Sequence, residues 1–596
     1  MQQSDALFAN ESRVDNARQQ RVPHLLVAAA CEGDVVAAVL YAQAHGLALS
    51  ALAGGHSAEG FGVSANGALV VNVRQLQAFS IDATTLIATV GAGYRFSELY
   101  TLLNATDPTL LMTGGGCPDV GLAGFMLGGG LSFLSRPLGA VGSDTVLSMR
   151  VVLANGTATT VTRQSDPVLF RALGAGGGGN FGIVVEFRLQ LFKRFSAVQN
   201  LCFLNALGNS STLAPLIPLY AQWLADDATP SDFGAPALLS VQGGDLVFCV
   251  TVMGVSARSW RHAADIASLA VDDFFSLASQ RADGAWTSIT LDNSNRTFYG
   301  FESDLTTTAL NGRFGLMTSF VFDDGDMDDG KFAALLAGAV ANAPPGGTLA
   351  NFHDMGGRVR DVARSSSWFP HRDSVLVMQL KTLWPHVSQQ DDARHEQWAV
   401  KTTLQLRGAM PKPAAYVNYI ESARSLPDWQ LAYFAEQWPL LLRAKLRYDP
   451  TGLFRFPQSI GVPPSGCSMA RAYMVNLAMA FQFAQTSMDA NAAASLFAAD
   501  GSTVIPVGHG NATRTTGPAA IAPLFASYFR TLRQLNETIT TPVVVSGTIV
   551  AFGKRIDALL LDGTVSSKFV VNWFNISCNS NTGLLEIQEF DGAFNS

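Results

Sequence analysis

Hydrophobic and polar positions along the 596-residue chain change their period several times. Residues 34–45 show helical spacing, whereas 47–53 and 68–73 are short apolar runs typical of strands. From residue 197 to 410, strand-like runs are interleaved with helical segments such as 328–341. The first three quarters of the chain therefore predict a mixture of helix and sheet with glycine-rich turns.

A break at 461–466, with two prolines and two glycines, precedes a C-terminal segment of different texture. Its pattern predicts three helices followed by an antiparallel sheet, which is an α+β order. The predicted helices are 470–486, 489–499 and 516–535. Four strands are predicted over 538–590, with turns at Gly553, 562–563 and 579–583.

Composition limits the class of protein. Charged residues make up 14% and hydrophobic residues 48% of the chain, which excludes a disordered polymer. The net charge of −8 and the absence of Lys/Arg-rich runs argue against a nucleic-acid partner. Since no run of 18 consecutive apolar residues occurs, neither a transmembrane helix nor a membrane partner is expected.

Short sequence patterns bear on the cellular compartment of the protein and on the redox state of its cysteines. The N-terminal residues lack a cationic stretch followed by an apolar one, so no signal peptide is visible. Eight Asn-x-Ser/Thr sequons nevertheless favour a glycoprotein of an extracellular or secretory compartment. The six cysteines form no CxxC pair, and no metal site is predicted. Cys202 and Cys249 lie in strand-like runs and are candidates for a disulfide.

Four glycine-rich stretches carry most of the functional information. They are 53–62, 113–130, 139–146 and 174–184. Because glycine lets the backbone approach a ligand closely, several such loops indicate a large phosphate-bearing cofactor held by backbone N–H groups. No P-loop motif is present. A GxGxxG match at 177–182 follows a helix-like segment and precedes a strand, the reverse of the dinucleotide-binding context, so it is discounted.

Two reactive side chains lie inside these loops: His56 follows a glycine pair and Cys117 follows three glycines. With them the chain resembles the FAD-linked oxidases of the berberine-bridge-enzyme-like branch of the vanillyl-alcohol oxidase and para-cresol methylhydroxylase superfamily, near the gluco-oligosaccharide oxidases. The resemblance covers about 20–461. Its motifs are GGHS (54–57), GGGCPDVGLAGFMLGGG (114–130), SRPLGAVGSDTVLSMRVVLANG (135–156), DPVLFRALGAGGGGNFGIV (166–184), FPHRD (369–373), AYVNYIESAR (415–424) and the pattern over 429–460.

The resemblance implies FAD held by two covalent bonds. His56 stands where the family bonds the 8α-methyl of the isoalloxazine, and Cys117 where it bonds flavin C6. Two such tethers raise the potential of the flavin and make it a better hydride acceptor. The other positions implied in binding FAD are Gly54, Gly55, Ser57, Pro118, Gly121, Gly124, Gly182, Val184, Tyr416 and Asn418.

The resemblance also implies the catalytic residues. Tyr419 occupies the position of the family's proton-accepting tyrosine, although a core aromatic with a satisfied hydroxyl is the alternative. Val120 stands where a small side chain admits oxygen to the flavin, and Gln379 replaces a glutamate base, which disfavours berberine-bridge chemistry. A free phenol has a pKa near 10, so the base needs tuning by a cation or hydrogen bond. Candidates for that tuning are Arg358, His371, Arg372 and Lys381.

The expected fold is α+β: a two-subdomain FAD-binding fold of the vanillyl-alcohol oxidase type, an antiparallel-sheet substrate domain, and a C-terminal α+β cone that resembles a SnoaL-like domain. The expected boundaries are 20–192 for the FAD-binding domain, 193–410 for the substrate domain, 411–461 for a segment returning to the FAD-binding domain, and 468–596 for the SnoaL-like domain.

These features predict an FAD-dependent oxidase. It would transfer hydride from an alcohol carbon of a sugar, oligosaccharide or secondary metabolite to covalently bound flavin, and then to O2, giving H2O2. The alternative is a flavin-containing biosynthetic or binding protein acting through the C-terminal domain, with a homodimer formed through that domain as one expected assembly. Polar candidates in the C-terminal domain are Asp489, Asp500 and His509. Tryptophans available either for sugar stacking or for the core are Trp260, Trp286, Trp368 and Trp384.

Overall fold

The computed structural model describes residues 1–461 except 3, 6, 20, 64–67, 207–212, 283, 305–313, 364–367 and 413; beyond 461 it describes the backbone of strands between 497 and 594. The chain divides into two compact units. The first contains Met1–Tyr433 and Gly452–Ile460, and the second contains Phe434–Thr451 and Gly461–Ser596.

The first region of unit 1 alternates short helices and strands, which confirms the predicted mixture. Its elements are α1 (Phe8–Glu11), β1 (Leu25–Ala28), α2 (Glu32–Ala44), β2 (Leu49–Leu52), β3 (Leu69–Asn72), β4 (Phe79–Asp82), β5 (Ile87–Gly91), α3 (Phe96–Thr106), β6 (Leu110–Leu111), α4 (Leu122–Leu127), α5 (Ser135–Leu138), β7 (Val146–Val152), β8 (Ala158–Thr162), α6 (Pro167–Ala175), β9 (Ile183–Gln190) and β10 (Phe192–Lys193). Strands β1, β3 and β2 form a parallel sheet in that order, and β4–β5–β9–β7–β8 form an antiparallel one.

The start of helix α6 shows why this alternation forms. The Asp166 carboxylate accepts a hydrogen bond from the Leu169 backbone N–H at 3.1 Å, and Pro167 occupies the first turn. Both features are favourable at a helix N-terminus. The glycine run that follows the helix leads directly into β9, so the GxGxxG match at 177–182 does lie between a helix and a strand.

The second region of unit 1 is built on one large antiparallel sheet. Its elements are β11 (Phe195–Ala206), α7 (Leu216–Ala225), β12 (Phe233–Gly234), β13 (Ala237–Gln242), β14 (Asp245–Ser256), α8 (Trp260–Arg281), β15 (Ser288–Arg296), α9 (Phe298–Asp304), β16 (Phe314–Phe322), α10 (Lys331–Ala341), β17 (Thr348–Asp354), β18 (Leu376–Trp384) and α11 (Gln389–Arg407); α12 (Trp429–Phe434) follows. The strand order is β15–β11–β14–β13–β17–β18–β16, and β12 pairs with β14.

The two faces of this large sheet differ. Alternate residues, such as Phe203, Phe248 and Met378, belong to a buried cluster with Tyr220 of α7 and Phe274 of α8. Because side chains in a strand alternate between faces, the intervening residues point to the opposite side. His353, Gln379 and Lys381, described below, lie on that second face.

A disulfide joins Cys202 of β11 to Cys249 of β14, which confirms the candidate pair. The two cysteines are directly opposite in the antiparallel register, with Cα atoms 4.0 Å apart. Cys31 and Cys117 are free thiols. None of the helices in the described part of the chain is long and apolar enough to cross a membrane.

Unit 2 contains α13 (Trp438–Tyr448) and a seven-stranded sheet. Its strands are β19 (Phe497–Pro506), β20 (Ala512–Thr516), β21 (Leu532–Ile539), β22 (Val544–Ser546), β23 (Ile549–Leu560), β24 (Val565–Cys578) and β25 (Leu585–Phe594). They pair in the order β20–β19–β25–β24–β23–β21, with β22 beside β23.

A C-terminal sheet is present, as predicted, but it is not wholly antiparallel, because β19 and β25 pair in parallel, and parts of the predicted pattern are wrong. The helix predicted over 489–499 is wrong at its end, because β19 begins at Phe497; likewise, β21 occupies the last four residues of the helix predicted over 516–535. The turn predicted at Gly553 is wrong, since β23 runs through it. Spacing alone separates strand from helix poorly in short apolar runs. The helix predicted over 470–486 lies outside the described residues.

Candidate active site

Two glycine-rich turns of the first region meet back to back. A Cβ atom at Gly54 would lie 2.3 Å from the Gly121 nitrogen, and a Cβ atom at Gly121 would lie 2.4 Å from the Gly54 nitrogen. Since neither position has room for a side chain, glycine is required at both for this close approach. The contact brings the turn that carries His56 next to the turn that carries Cys117.

Backbone hydrogen bonds fix both turns. The Ser57 hydroxyl accepts from the Phe61 backbone N–H at 3.2 Å, and Gly55 adopts a left-handed conformation with φ of 76°. In the second turn the Val120 N–H donates to the Cys117 carbonyl at 3.2 Å. The Pro118 carbonyl accepts a hydrogen bond at 2.9 Å from helix α3. Ser57 therefore shapes its turn through its hydroxyl, and Pro118 and Val120 shape theirs through their backbone.

His56 has one ring nitrogen available. Within the described residues, its Nε2 is buried and has no hydrogen-bond partner, while its Nδ1 lies 3.9 Å from the Asp15 carboxylate. Burial lowers the pKa of His56 below its usual value, with the charge of Asp15 opposing the shift. The imidazole is therefore neutral at pH 7, the state in which a ring nitrogen can form a covalent bond.

Cys117, half-buried in the second turn, is under the electrostatic influence of Lys381. Burial raises the pKa of the Cys117 thiol to about 11, and the nearby Lys381 ammonium counteracts this shift. Lys381 lies on β18, is only 5% exposed, and also lowers the pKa of His56. One cation thus acts on both residues predicted to bind the flavin covalently, a role that the sequence does not predict for Lys381.

Tyr416 and Asn418 support the glycine run that follows α4. The Tyr416 hydroxyl oxygen accepts hydrogen bonds from the backbone N–H groups of Gly130 and Leu131 at 2.9 and 3.0 Å. The Asn418 amide also donates to this hydroxyl at 2.8 Å. A Cβ at Gly128 would lie 2.0 Å from the Asn418 Oδ1 atom. The Y-x-N-Y segment is thereby locked against the glycine run.

The phenol of Tyr419 is hydrogen-bonded to a histidine that the sequence analysis missed. Its Oη lies 2.6 Å from Nε2 of His353, a residue of β17. The ring of Phe133 stacks on His353, with centroids 5.4 Å apart, and Tyr416 packs edge-on against Tyr419 at 5.1 Å. Among described residues, Nδ1 of His353 has no hydrogen-bond partner. The phenol is thus the single hydrogen-bonding contact of this imidazole in the described structure.

Burial determines the protonation of this pair. It lowers the pKa of His353 to about 4, with a further lowering by Lys381. It raises the pKa of Tyr419 well above its usual value, and Tyr416 and Cys117 add to that shift. At neutral pH the pair therefore consists of a neutral phenol and a neutral imidazole able to accept its proton.

Gln379 lies on the same sheet face but does not hydrogen-bond to the phenol. Its Oε1 accepts from the Asn351 amide at 3.2 Å, and its own amide points to the Met317 sulfur at 3.4 Å. Gln379 is directly opposite Asn351 in the register of β17 and β18, and His353 lies two residues further along β17. An amide held in this way positions a neighbour and cannot take up a proton.

The other candidates for tuning Tyr419 are engaged elsewhere. Arg358 pairs with a surface aspartate at 2.5 Å. Arg372 forms a buried ion pair with Asp144, and His371 interacts electrostatically with Asp323. The structure instead places His353 in contact with the phenol and Lys381 within electrostatic range of His353.

Several predicted residues lie further from this cluster. A Cβ at Gly182 would come within 2.7 Å of Val151, and Val184 is paired with Val151 in the sheet, so both fit the β7–β9 contact. Gly124 lies in α4, where a Cβ would meet nothing within 4 Å. Of the C-terminal candidates, Asp489 and His509 lie outside the described residues, and Asp500 falls within β19.

The tryptophans considered for sugar stacking are mostly packed internally. Trp384 is fully buried and stacks on His395, and Trp368 is buried. Trp286 packs against the main apolar cluster. Trp260 is 37% exposed and contacts Phe195 at the start of α8. Core packing, the alternative interpretation, is therefore supported for three of the four.

Comparison with known domain families matches two parts of the chain. The FAD binding domain family matches residues 23–162, which contain both glycine turns. The family described as berberine and berberine like matches residues 415–461, which contain Tyr416, Asn418 and Tyr419.

Similar proteins include plant and fungal enzymes. Over 438 residues the chain is 26% identical to reticuline oxidase of Papaver somniferum, covering 69% of this chain and 78% of that protein. It is 34% identical over 227 residues to xylooligosaccharide oxidase of Thermothelomyces thermophilus, covering 37% of this chain and 44% of that enzyme. It is 34% identical over 188 residues to the FAD-linked oxidoreductase pytB of Aspergillus terreus, covering 32% of this chain but 23% of that protein. The matched region thus spans less than half of the two fungal proteins.

Solved structures share the fold. Xylooligosaccharide oxidase from Myceliophthora thermophila C1, in complex with xylobiose, superimposes with a TM-score of 0.65 at 23% identity, covering 77% of this chain and 96% of that chain. A glucooligosaccharide oxidase from Acremonium strictum gives a TM-score of 0.65 at 19% identity, with coverages of 78% and 96%. The vanillyl-alcohol-oxidase-type fold is therefore confirmed.

Fold and matched domains define the class of protein that this chain resembles: it contains a match to the FAD binding domain family and is similar to FAD-linked oxidoreductases. Within that class, the predicted resemblance to berberine-bridge-enzyme-like FAD-linked oxidases is confirmed, with oligosaccharide oxidases among its relatives. These findings favour the oxidoreductase over an activity centred on the C-terminal domain. The SnoaL-like assignment of that domain stays a prediction, as do the four domain boundaries.

The residues of the two turns fit FAD. His56 offers a buried ring nitrogen without a partner in the described structure, and Cys117 offers a free thiol. Both lie in glycine-rich turns whose backbone N–H groups suit a phosphate-bearing cofactor. His56 and Cys117 are the residues that would hold FAD covalently. The flavin, when bound, would act as the acceptor of the hydride and its electrons.

Proposed function

We propose that this protein is a flavin-linked oxidase that removes a hydride from the carbinol carbon of an alcohol and passes the electrons to O2, forming H2O2. The observation that carries this proposal is the 2.6 Å contact between Tyr419 Oη and His353 Nε2. It supplies a proton route close to Cys117, whose thiolate form would raise the pKa of Tyr419 further.

In this proposal His353 accepts the proton that the Tyr419 phenol, a weak base, cannot take up by itself. A buried phenol with a raised pKa does not ionise by itself at neutral pH. As Tyr419 Oη takes the proton of the substrate hydroxyl, it passes its own proton to Nε2 of His353. The phenol is neutral before and after the transfer, so no phenolate is left in a buried site.

Covalent attachment at both His56 and Cys117 is part of the proposal. The two turns are in direct backbone contact, which favours a single ligand reaching both. Neutral His56 has a lone pair available, and Lys381 favours the thiolate of Cys117 against the effect of burial. Val120, half-buried in the second turn, is proposed to leave oxygen access to the flavin.

Two further residues or residue pairs bear on the proposed substrate and on the proposed cellular compartment. Gln379 cannot act as a proton acceptor, which favours plain alcohol oxidation over ring closure. The Cys202–Cys249 disulfide supports an oxidising extracellular or secretory compartment. A small-molecule alcohol and O2 are the proposed partners, and a homodimer through the C-terminal domain remains a prediction.

The proposal is tested by acid precipitation and peroxide release on the full-length holoprotein. Yellow colour that stays in the pellet identifies covalent flavin, and colour that moves to the supernatant contradicts the tethers. Peroxide formed from an added primary alcohol supports the oxidase. If the alcohol reduces the flavin but no peroxide forms, O2 is not the electron acceptor, and the oxidase part of the proposal is wrong.

A further inference from the structure

The face of the large sheet that carries His353 continues well beyond the proton-transfer site. In the antiparallel register Gln379 is opposite Asn351, Asn351 is opposite Leu238, and Leu238 is opposite Cys249. Cys249 is in turn opposite its disulfide partner on β11. Directly paired residues share a face. One row of side chains therefore leads from Gln379 across four strands to the disulfide.

This row is apolar once it leaves the proton-transfer site. Leu238 and both cysteines of the disulfide are half-buried, whereas residues of the opposite face belong to the fully buried cluster. The neighbouring row runs from Lys381 through Leu349, Ser240 and Val247 to Leu204, and both of its leucines are half-buried. We call Leu204, Leu238, Leu349 and the Cys202–Cys249 disulfide the apolar strip.

The polar groups beside the apolar strip satisfy one another. The Thr251 hydroxyl donates to the Asn200 amide oxygen at 2.7 Å, in the row next to the disulfide. The strip ends at β15, whose residues Ser288–Arg296 are almost all exposed and mostly polar. With strands ~4.8 Å apart, three steps from Gln379 to Cys249 span about 14 Å.

The apolar strip lacks the groups that bind a sugar. Its side chains in the described structure include no carboxylate and no aromatic ring. The unit 1 segments without a description contain no tryptophan, tyrosine or phenylalanine in their sequence. Phe133 lies at the other end, where its ring stacks on His353. A hydroxyl-rich oligosaccharide would lose hydration against the leucines and the disulfide, because these side chains offer it no hydrogen-bonding partner.

We propose that the alcohol oxidised at Tyr419 carries an extended apolar body, alkyl or aryl, that lies along the apolar strip. This inference rests on the proposed function, because it assumes that the carbinol group is held beside Tyr419 and His353. The strip is continuous with that site through Asn351 and Gln379, so one bound molecule can occupy both. Its specificity would follow from apolar contact area.

The test uses the holoprotein and a series of 4-alkoxybenzyl alcohols with one to eight carbons in the ether chain, with xylobiose as the sugar probe. Calorimetry gives the dissociation constant, and peroxide release gives kcat/KM. We expect the dissociation constant to fall about fourfold per added methylene, which corresponds to ~0.8 kcal/mol, until the strip is covered. Xylobiose is expected to bind more weakly than the longer alcohols.

Variants locate the effect. Leu238→Asn should flatten the dependence on chain length, and Leu238→Met, which keeps the apolar volume, should restore it. Leu269→Asn is the matched control, since Leu269 is 69% exposed on α8, which packs on the other face of the sheet. All three variants are compared at the same ether chain lengths.

Two outcomes separate this inference from the proposed function. If short and long alcohols give peroxide with equal dissociation constants, or if xylobiose binds more tightly, the apolar body is wrong while the oxidase stands. If binding strengthens with chain length and Leu238→Asn removes that gain but no peroxide forms, the apolar strip stands and the oxidase is wrong.

Discussion

The guanidinium of Arg407 is paired with the carboxylate of Glu421, two residues beyond Tyr419. The carboxylate is 1% exposed and also accepts hydrogen bonds from the hydroxyls of Thr318 and Ser425. The same guanidinium donates to the Ser319 carbonyl at 3.1 Å. A buried ion pair therefore ties the end of α11 and strand β16 to the segment that carries the proposed base.

Removing one partner of this pair should be strongly destabilising. Glu421→Gln leaves the Arg407 charge buried and uncompensated, for which we expect a loss of about 3–5 kcal/mol in the free energy of unfolding. Urea denaturation measures this loss. Glu32→Gln is the control, because Glu32 forms a comparable pair with Arg150 that is 36% exposed on the glutamate side, and its loss should cost about 0–1 kcal/mol. Equal losses in the two variants would mean that the Arg407 pair has no special role.

The proposed proton route predicts a pH profile. Since the pKa of His353 is lowered to about 4, its imidazole is protonated below that pH and cannot accept the Tyr419 proton. Activity, measured as kcat/KM by peroxide release, should therefore rise as the pH increases through about 4 and then level off. Buffers at constant ionic strength keep the effect of Lys381 comparable across the series.

Replacing His353 should remove that limb of the profile. His353→Phe keeps a ring for Phe133 to stack on but cannot accept a proton, and we expect kcat to fall about 10²–10⁴-fold with the flavin still bound. Tyr419→Phe should give a loss of similar size, and the double variant should lose little more, because the two residues act as one unit. Additive losses in the double variant would show that they act independently.

The contact between the two glycine turns predicts a severe effect of one methyl group. Gly54→Ala places a Cβ against the Gly121 backbone, which cannot move aside like a flexible side chain. The turns should separate, and flavin content per protein, measured by absorbance, should drop several-fold. Gly338→Ala is the control: a Cβ there meets nothing within 4 Å, and alanine is favourable inside helix α10.

The sequence allowed His56, Cys117 and Tyr419 to be proposed as site residues because each lies in a local motif that can be recognised from a few neighbouring residues. It did not reveal His353, since the contact with Tyr419 joins residues 66 positions apart through the register of β17. The signal that the sequence offered for this site was weak: His353 and Asn351 stand at alternate positions of one strand, so they share a face. Gly553 misled for a related reason, because a glycine inside a strand resembles a turn until its pairing is known.

The disulfide on the sheet predicts a stability change that leaves the proton route intact. Replacing both Cys202 and Cys249 with serine releases a cross-link between residues 47 positions apart and should cost about 2–4 kcal/mol in the free energy of unfolding. The rise of activity near pH 4 should stay where it is, because the two disulfide strands, β14 and β11, lie two and three strands from the strand of His353.

Lys381 gives the sharpest test of how the cysteine bond forms. Burial raises the pKa of the Cys117 thiol to about 11 even though the charge of Lys381 opposes that shift. Lys381→Met should therefore reduce the thiolate fraction and slow attachment through Cys117. Attachment through His56 should continue, because burial, the largest cause of its lowered pKa, is unchanged and keeps the imidazole neutral. The cysteine bond is isolated by comparing the Lys381→Met, His56→Ala double variant with His56→Ala alone. FAD is added to each flavin-free protein, and acid-stable absorbance is followed over time. Equal rates would show that the thiolate is not limiting, whereas recovery of the rate at higher pH would identify thiol ionisation as the step that Lys381 assists.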